Sequence, residues 1–141
     1  MVKKALYKII FIASLLGLII SSYLAYNHYV GSSVTCVINR EKSCNLVTDG
    51  VYSELLLGIP NSYLGIVGFL IFIILSYLGI KEKNVDDIIL YISSIAFLFV
   101  LFLAYLIFFV INSFCIWCFA IWILVSIILL CSITLMIKKF R

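Results

Sequence analysis

The chain has 141 residues, 66% of them hydrophobic and only 11% charged, with a formal net charge of +4. That composition excludes an ordinary soluble domain, and the basic residues are scattered at the ends of long apolar runs, which excludes a nucleic-acid-binding face. With one proline and no disorder-like tract, the sequence reads as a single compact membrane domain over residues 1–141 with no soluble appendage.

A helix needs about 20 apolar residues to cross a hydrocarbon core about 30 Å thick, and four such runs fit in this length. The expected fold is therefore an all-α bundle of four transmembrane helices, with spans near residues 9–29, 60–80, 88–111 and 114–137. Lys3, Lys4 and Lys8 precede the first span, which closes on Tyr23-Leu24-Ala25-Tyr26-Asn27-His28-Tyr29. A cleaved signal peptide would have a shorter apolar region and a small-residue cleavage site; a belt of tyrosines marks an uncleaved span instead.

Residues 30–59 are the long polar stretch, carrying Cys36, Arg40, Glu41, Lys42, Cys44, Asp49 and Glu54. They form the extracytoplasmic loop between the first two spans, where a soluble partner would dock. Pro60 suits the first helical position of the second span, and Gly65 and Gly68 within that span would let a neighbouring helix approach closely. A charged turn from Lys81 to Asp87 leads to the third span. Only a few residues separate the third span from the fourth, so these two make a tight helical hairpin.

Placing both termini in the cytoplasm puts Lys3, Lys4, Lys8, Lys81, Lys83, Lys138, Lys139 and Arg141 inside and only Arg40 and Lys42 outside. This positive-inside bias sets the orientation of a multi-pass protein of the cell membrane. Cys36, Cys44, Cys115 and Cys118 then gather at the outer, oxidising face. Cys131 lies 13 residues beyond Cys118, about 20 Å deeper at 1.5 Å per residue, and reads as a small buried apolar residue.

The chemistry centres on Cys115-Ile116-Trp117-Cys118, a CxxC pair at the start of the fourth span. Thiols three apart fall on one face of a helix's first turn and can close a disulfide, and the helix's positive end favours the thiolate form. Phe119 follows the second cysteine, so this is not the CxxCH signal for haem attachment. A second pair in an adjoining loop suggests an electron relay by thiol–disulfide exchange, Cys36 and Cys44 being the accessible pair and Cys115 and Cys118 the fixed one. The fixed pair must pass on its electrons, and the acceptor available in an outer leaflet is a lipid-soluble quinone.

Other readings remain open on residues alone. Four cysteines can bind structural zinc, although the seven residues between Cys36 and Cys44 exceed the usual spacing. They can also form inert disulfides that staple a membrane scaffold. A small four-span transporter is a further class, but its usual mark, an ionisable residue in the middle of a span, is missing.

The order of Tyr23-Leu24-Ala25-Tyr26-Asn27-His28, Cys36, Cys44-Asn45-Leu46-Val47 with Tyr52, Gly58-Ile59-Pro60-Asn61-Ser62-Tyr63-Leu64-Gly65 and Cys115-Ile116-Trp117-Cys118 resembles the vitamin K epoxide reductase family in its bacterial or archaeal form. The resemblance covers nearly the whole chain. It implies a four-helix bundle around a quinone, menaquinone or ubiquinone, and an enzyme that reoxidises an extracytoplasmic thioredoxin-like partner, supporting disulfide formation in exported proteins. By the same resemblance Cys118 is the quinone-proximal sulfur and Cys115 its partner, Cys44 exchanges with Cys115, and Cys36 takes electrons from the partner protein. Asn61 matches the family residue that hydrogen-bonds a quinone carbonyl. The chain departs from the family pattern at Gly50, where Ser or Thr is frequent, with Thr48 or Ser53 as substitutes, and at Trp122, which keeps an aromatic ring one turn below Cys118 to line the quinone. With no thioredoxin domain fused to it, the partner is expected to be a separate secreted or membrane-anchored chain.

Overall fold

The computed structural model describes residues 2–30, 61–111 and 116–141. Four long helices make up these residues: α1 (Val2–Val30), α2 (Asn61–Ile80), α3 (Asp86–Tyr105) and α4 (Ile116–Phe140). All four are long and apolar enough to cross a membrane. In hydrocarbon every backbone N–H and C=O must be satisfied within the segment. Runs rich in β-branched isoleucine therefore fold as helices despite their modest helix propensity. The chain is a multi-pass membrane protein with the all-α, four-span architecture that hydropathy predicts.

The boundaries differ from the hydropathy estimate in informative ways. Helix α1 begins at Val2, seven residues before the expected span, and so carries Lys3, Lys4 and Lys8 on helical turns. Helix α3 starts at Asp86, with Asp86 and Asp87 in its first turn, and α4 ends with Lys138 and Lys139 in its last. Both placements suit the helix dipole, acids at the positive end and bases at the negative end. The third span does not stay α-helical: after Tyr105 it widens into a π-helical turn over Leu106–Ile111. Pro60 lies just outside the described residues.

Around the bundle, α1 packs most extensively on α2 and also on α4, α4 packs on α3, and the α2–α3 contact is slight. Three contacts fix the α1–α2 register. The Tyr7 ring fills the space a β-carbon on Gly79 would take, the Phe69 ring fills that space at Gly17, and Ser21 Oγ lies 2.8 Å from it at Gly65. All three pairs belong to one antiparallel register, in which Asn61 falls level with Ala25. Gly65 thus permits close approach, as expected, whereas a β-carbon on Gly68 would meet nothing within 4 Å. Ile10 and Phe72, from within this seam, close the core with Ile89, Ile128, Leu135 and Cys131, which is 9% exposed.

One end of the bundle is held by charge. Lys3 Nζ lies 2.6 Å from Asp86 Oδ2, and the Tyr7 hydroxyl donates to Asp86 Oδ1. Lys4 pairs with Glu82 and Lys139 with Asp87, each at 2.8 Å. The start of α1, the turn from α2 to α3 and the end of α4 therefore share one face of the molecule. The basic residues that define the expected inner side are brought together there.

Candidate active site

The opposite end carries the candidate chemistry. Helix α4 opens at Ile116, so Cys118 occupies its first turn. At 1.5 Å per residue, Cys118 stands about 30 Å from Lys139 along α4, close to a full hydrocarbon thickness. The Cys118 side chain is half-buried in an apolar cluster whose centre is Leu24 of α1, 4% exposed, together with Ile20, Tyr23, Trp117 and Ile121. The Tyr23 and Trp117 rings meet at 5.1 Å between centroids, tilted by 47°. This pair couples the last turns of α1 to the first turn of α4, in the same cluster as Cys118.

Trp122 sits one turn deeper on the same helix, half-buried against the main core. Its ring contacts Phe108 at 5.7 Å and Phe119 at 6.1 Å. Phe108 belongs to the π-helical turn, so the widened end of the third span is what brings an aromatic ring against Trp122. Asn61 is the first residue of α2, level by register with Ala25. Cys118, Trp122 and Asn61 thus come from two different helices to one end of the bundle. Cys36, Cys44, Cys115 and Gly50 lie outside the described residues. Cys131, in contrast, is buried in the core far from Cys118, and burial holds its surroundings apolar.

A further polar group escaped the sequence reading. Ser21 Oγ is buried, with the residue 1% exposed, and has no hydrogen-bond partner among the described residues. Other buried serines, Ser14, Ser76 and Ser132, each donate to the carbonyl four residues back. Ser21 lies one turn below Leu24, within the same end of the α1–α2 seam. The register that places it could be read only from packing.

A vitamin K epoxide reductase family model matches residues 8–133, most of the chain. The chain belongs to the vitamin K epoxide reductase family. Membership makes it a membrane thiol–disulfide oxidoreductase, and the match runs through all four helices and Cys118. No curated protein matches the chain. Within the vitamin K epoxide reductase family the quinone is the known redox partner, so the residues around Cys118 can be tested for whether they suit one.

They do. A quinone ring needs an apolar or aromatic slot and donors for its carbonyls. Leu24, Tyr23 and Trp117 would hold such a ring, and the partnerless Ser21 hydroxyl would give it a donor.

Proposed function

We propose that the chain is a quinone-linked thiol–disulfide oxidoreductase that reoxidises an extracytoplasmic thioredoxin-like protein and so sustains disulfide formation in exported proteins. The observation that carries this reading is the position of Cys118. It lies in the first turn of α4, half-buried among Leu24, Tyr23 and Trp117, at the end of the bundle away from the Lys3–Asp86, Lys4–Glu82 and Lys139–Asp87 pairs. The positive-inside rule puts that basic end in the cytoplasm and the cysteines at the outer face of the cell membrane.

The relay balances with the chain's own sulfurs. The partner's two thiols reduce the Cys36–Cys44 disulfide, the partner becoming a disulfide. The Cys44 thiolate attacks Cys115 Sγ of the Cys115–Cys118 disulfide and releases Cys118 as a thiolate. Cys36 then resolves the Cys44–Cys115 bond, reforming Cys36–Cys44 and leaving Cys115 and Cys118 reduced. A bound quinone supplies the acceptor for the two electrons and two protons that this dithiol gives up. Asn61 and Trp122 serve the same site, one as hydrogen-bond donor and the other as part of the apolar wall. The partner is a thioredoxin-like domain at the outer face of the membrane.

The test is to supply a reduced thioredoxin-like protein and follow quinone absorbance. Cys118→Ser should abolish turnover, Asn61→Ala should slow it by roughly 100- to 1000-fold if its donor acts mainly in the transition state, and Cys131→Ser should match the unmodified protein. Turnover of Cys118→Ser at the unmodified rate would remove the CxxC from the reaction.

A further inference from the structure

Ser21 is the one buried side-chain polar atom without a partner among the described residues. A helical serine can donate to a carbonyl three or four residues back, as Ser14, Ser76, Ser93, Ser126 and Ser132 do here. Ser21 does not, and its hydroxyl instead nests against Gly65, where a side chain would displace it. A buried hydroxyl with no acceptor is destabilising, so its retention points to an acceptor that arrives with a ligand.

The register says where that acceptor would be. One turn below Ser21, Gly17 is covered by the Phe69 ring, which closes the seam with an apolar floor. One turn above it, Asn61 stands level with Ala25. The levels of Ser21 and Asn61 are therefore four residues apart, about 6 Å along the helix axis. The two carbonyl oxygens of a 1,4-quinone lie across the ring from each other, about 5 Å apart from bond lengths alone. Leu24, between the two levels, is the residue that holds the Cys118 cluster together.

We propose that the Ser21 hydroxyl is the second hydrogen-bond donor of the quinone site, serving the carbonyl on the far side of the ring from Asn61. This rests on the quinone reading of the Cys118 site and adds a binding residue on α1 to it. Gly65 has a matching duty: it leaves the space that lets the Ser21 hydroxyl reach the seam. Ser21 binds and orients the acceptor and takes no part in sulfur exchange.

The experiment uses the purified full-length chain in detergent, titrated with menadione, a short 1,4-naphthoquinone, with the thermal unfolding midpoint as readout. Ser21→Ala should raise the half-saturating menadione concentration about 3- to 10-fold, the effect of one net hydrogen bond. The quinone KM should rise in parallel while kcat changes less. Without menadione, the Ser21→Ala midpoint should equal or exceed that of the unmodified protein, since the substitution removes an unsatisfied buried hydroxyl.

Gly65→Ala provides a second variant, because its β-carbon would stand 2.8 Å from Ser21 Oγ but 3.4 Å from Ser21 Cβ. It should weaken menadione binding alone and add little on top of Ser21→Ala, where the crowded atom is gone. Ser76→Ala, in the distant half of α2, should leave the half-saturating concentration unchanged. If Ser21→Ala binds menadione as the unmodified protein does, or loses thermal stability with no change in binding, Ser21 is only a packing residue and the inference fails with the quinone reading intact. If the unmodified protein itself shows no menadione-dependent shift, the quinone reading fails and takes this inference with it.

Discussion

Lys3 and Asp86, 83 residues apart in sequence, meet at 2.6 Å, and the aspartate side chain is completely buried while the lysine remains half in solvent. Asp86 also accepts from the Tyr7 hydroxyl, so one carboxylate ties the start of α1 to the start of α3. The direct α2–α3 contact is slight, and Lys4–Glu82 adds a second tie from α1 to the turn between those helices.

Removing the carboxylate should therefore loosen the basic end selectively. Asp86→Ala leaves the buried Tyr7 hydroxyl without its acceptor and should destabilise the protein by about 1.5–3 kcal/mol, the range for hydrogen bonds to charged groups. Asp86→Asn keeps an acceptor oxygen and should cost less. Unfolding in mixed micelles checks both, and equal losses for Ala and Asn would show that the charge, and not the hydrogen bond, holds the end together.

The glycines of α1 and α2 divide into two kinds. At Gly17 and Gly79 an added β-carbon would collide with the Phe69 and Tyr7 rings, whereas at Gly68 it would meet open space. Gly17→Ala and Gly79→Ala should each destabilise by about 1–3 kcal/mol through overpacking. Gly68→Ala should be neutral or stabilising, because alanine is the better helix former. The same unfolding assay checks this, and a loss at Gly68 matching that at Gly17 would contradict the α1–α2 register.

The four spans were legible because long apolar runs bounded by lysines leave a membrane chain few alternatives. The interior of the bundle was less so. Gly65 and Gly68 look alike in sequence, and only the antiparallel register distinguishes the one facing Ser21 from the one facing nothing. Asp86 reads as part of a solvated turn, yet it is 1% exposed because Lys3 and Tyr7 converge on it from the other end of the sequence. The run Leu106–Ile111 has no glycine, proline or polar residue to announce its π-helical turn. Cys118 is singled out by the CxxC spacing and Trp122 by the family resemblance, both within one segment. Leu24 and Ser21 reach the same end only through packing between helices, which a local pattern does not record.

Glu82 closes α2 in an unusual way. Its φ of 65° is left-handed, and the Lys83 N–H donates to the Leu78 carbonyl while the Glu82 N–H donates to that of Gly79. This is the helix stop in which glycine is the common occupant. The nearby Lys4 ammonium holds the Glu82 carboxyl below its ordinary pKa. A lowered folded-state pKa stabilises above the ordinary carboxylate range, and that contribution is lost as pH falls through the lowered value. Glu82→Gly relieves the backbone strain but loses the pair, so its stability relative to the unmodified protein should improve as pH falls. Midpoints measured from pH 7 down to pH 3 check the trend, and a relative stability that worsens toward acid would refute it.

The order of sulfur exchange is testable without any partner protein. Replacing Cys118 by alanine leaves Cys115 with no neighbour in its own pair, so once the Cys115 thiolate has attacked Cys44 Sγ of the Cys36–Cys44 disulfide and released Cys36 as a thiolate, no thiol on the α4 side can resolve the Cys44–Cys115 bond. In the Cys131→Ser background, which removes the buried thiol of the core, Cys118→Ala should accumulate a Cys44–Cys115 disulfide. A protease site introduced between Cys44 and α2 makes it visible, because the two fragments stay joined until reductant is added. Adding Cys44→Ser should abolish the joined species, and adding Cys36→Ser should preserve it when a thiol oxidant such as diamide is supplied to take up the two electrons. If the dependence is on Cys36 instead, the two loop cysteines exchange roles. If no joined species forms with either, the loop pair does not reach the CxxC and the relay is wrong, whatever becomes of the quinone.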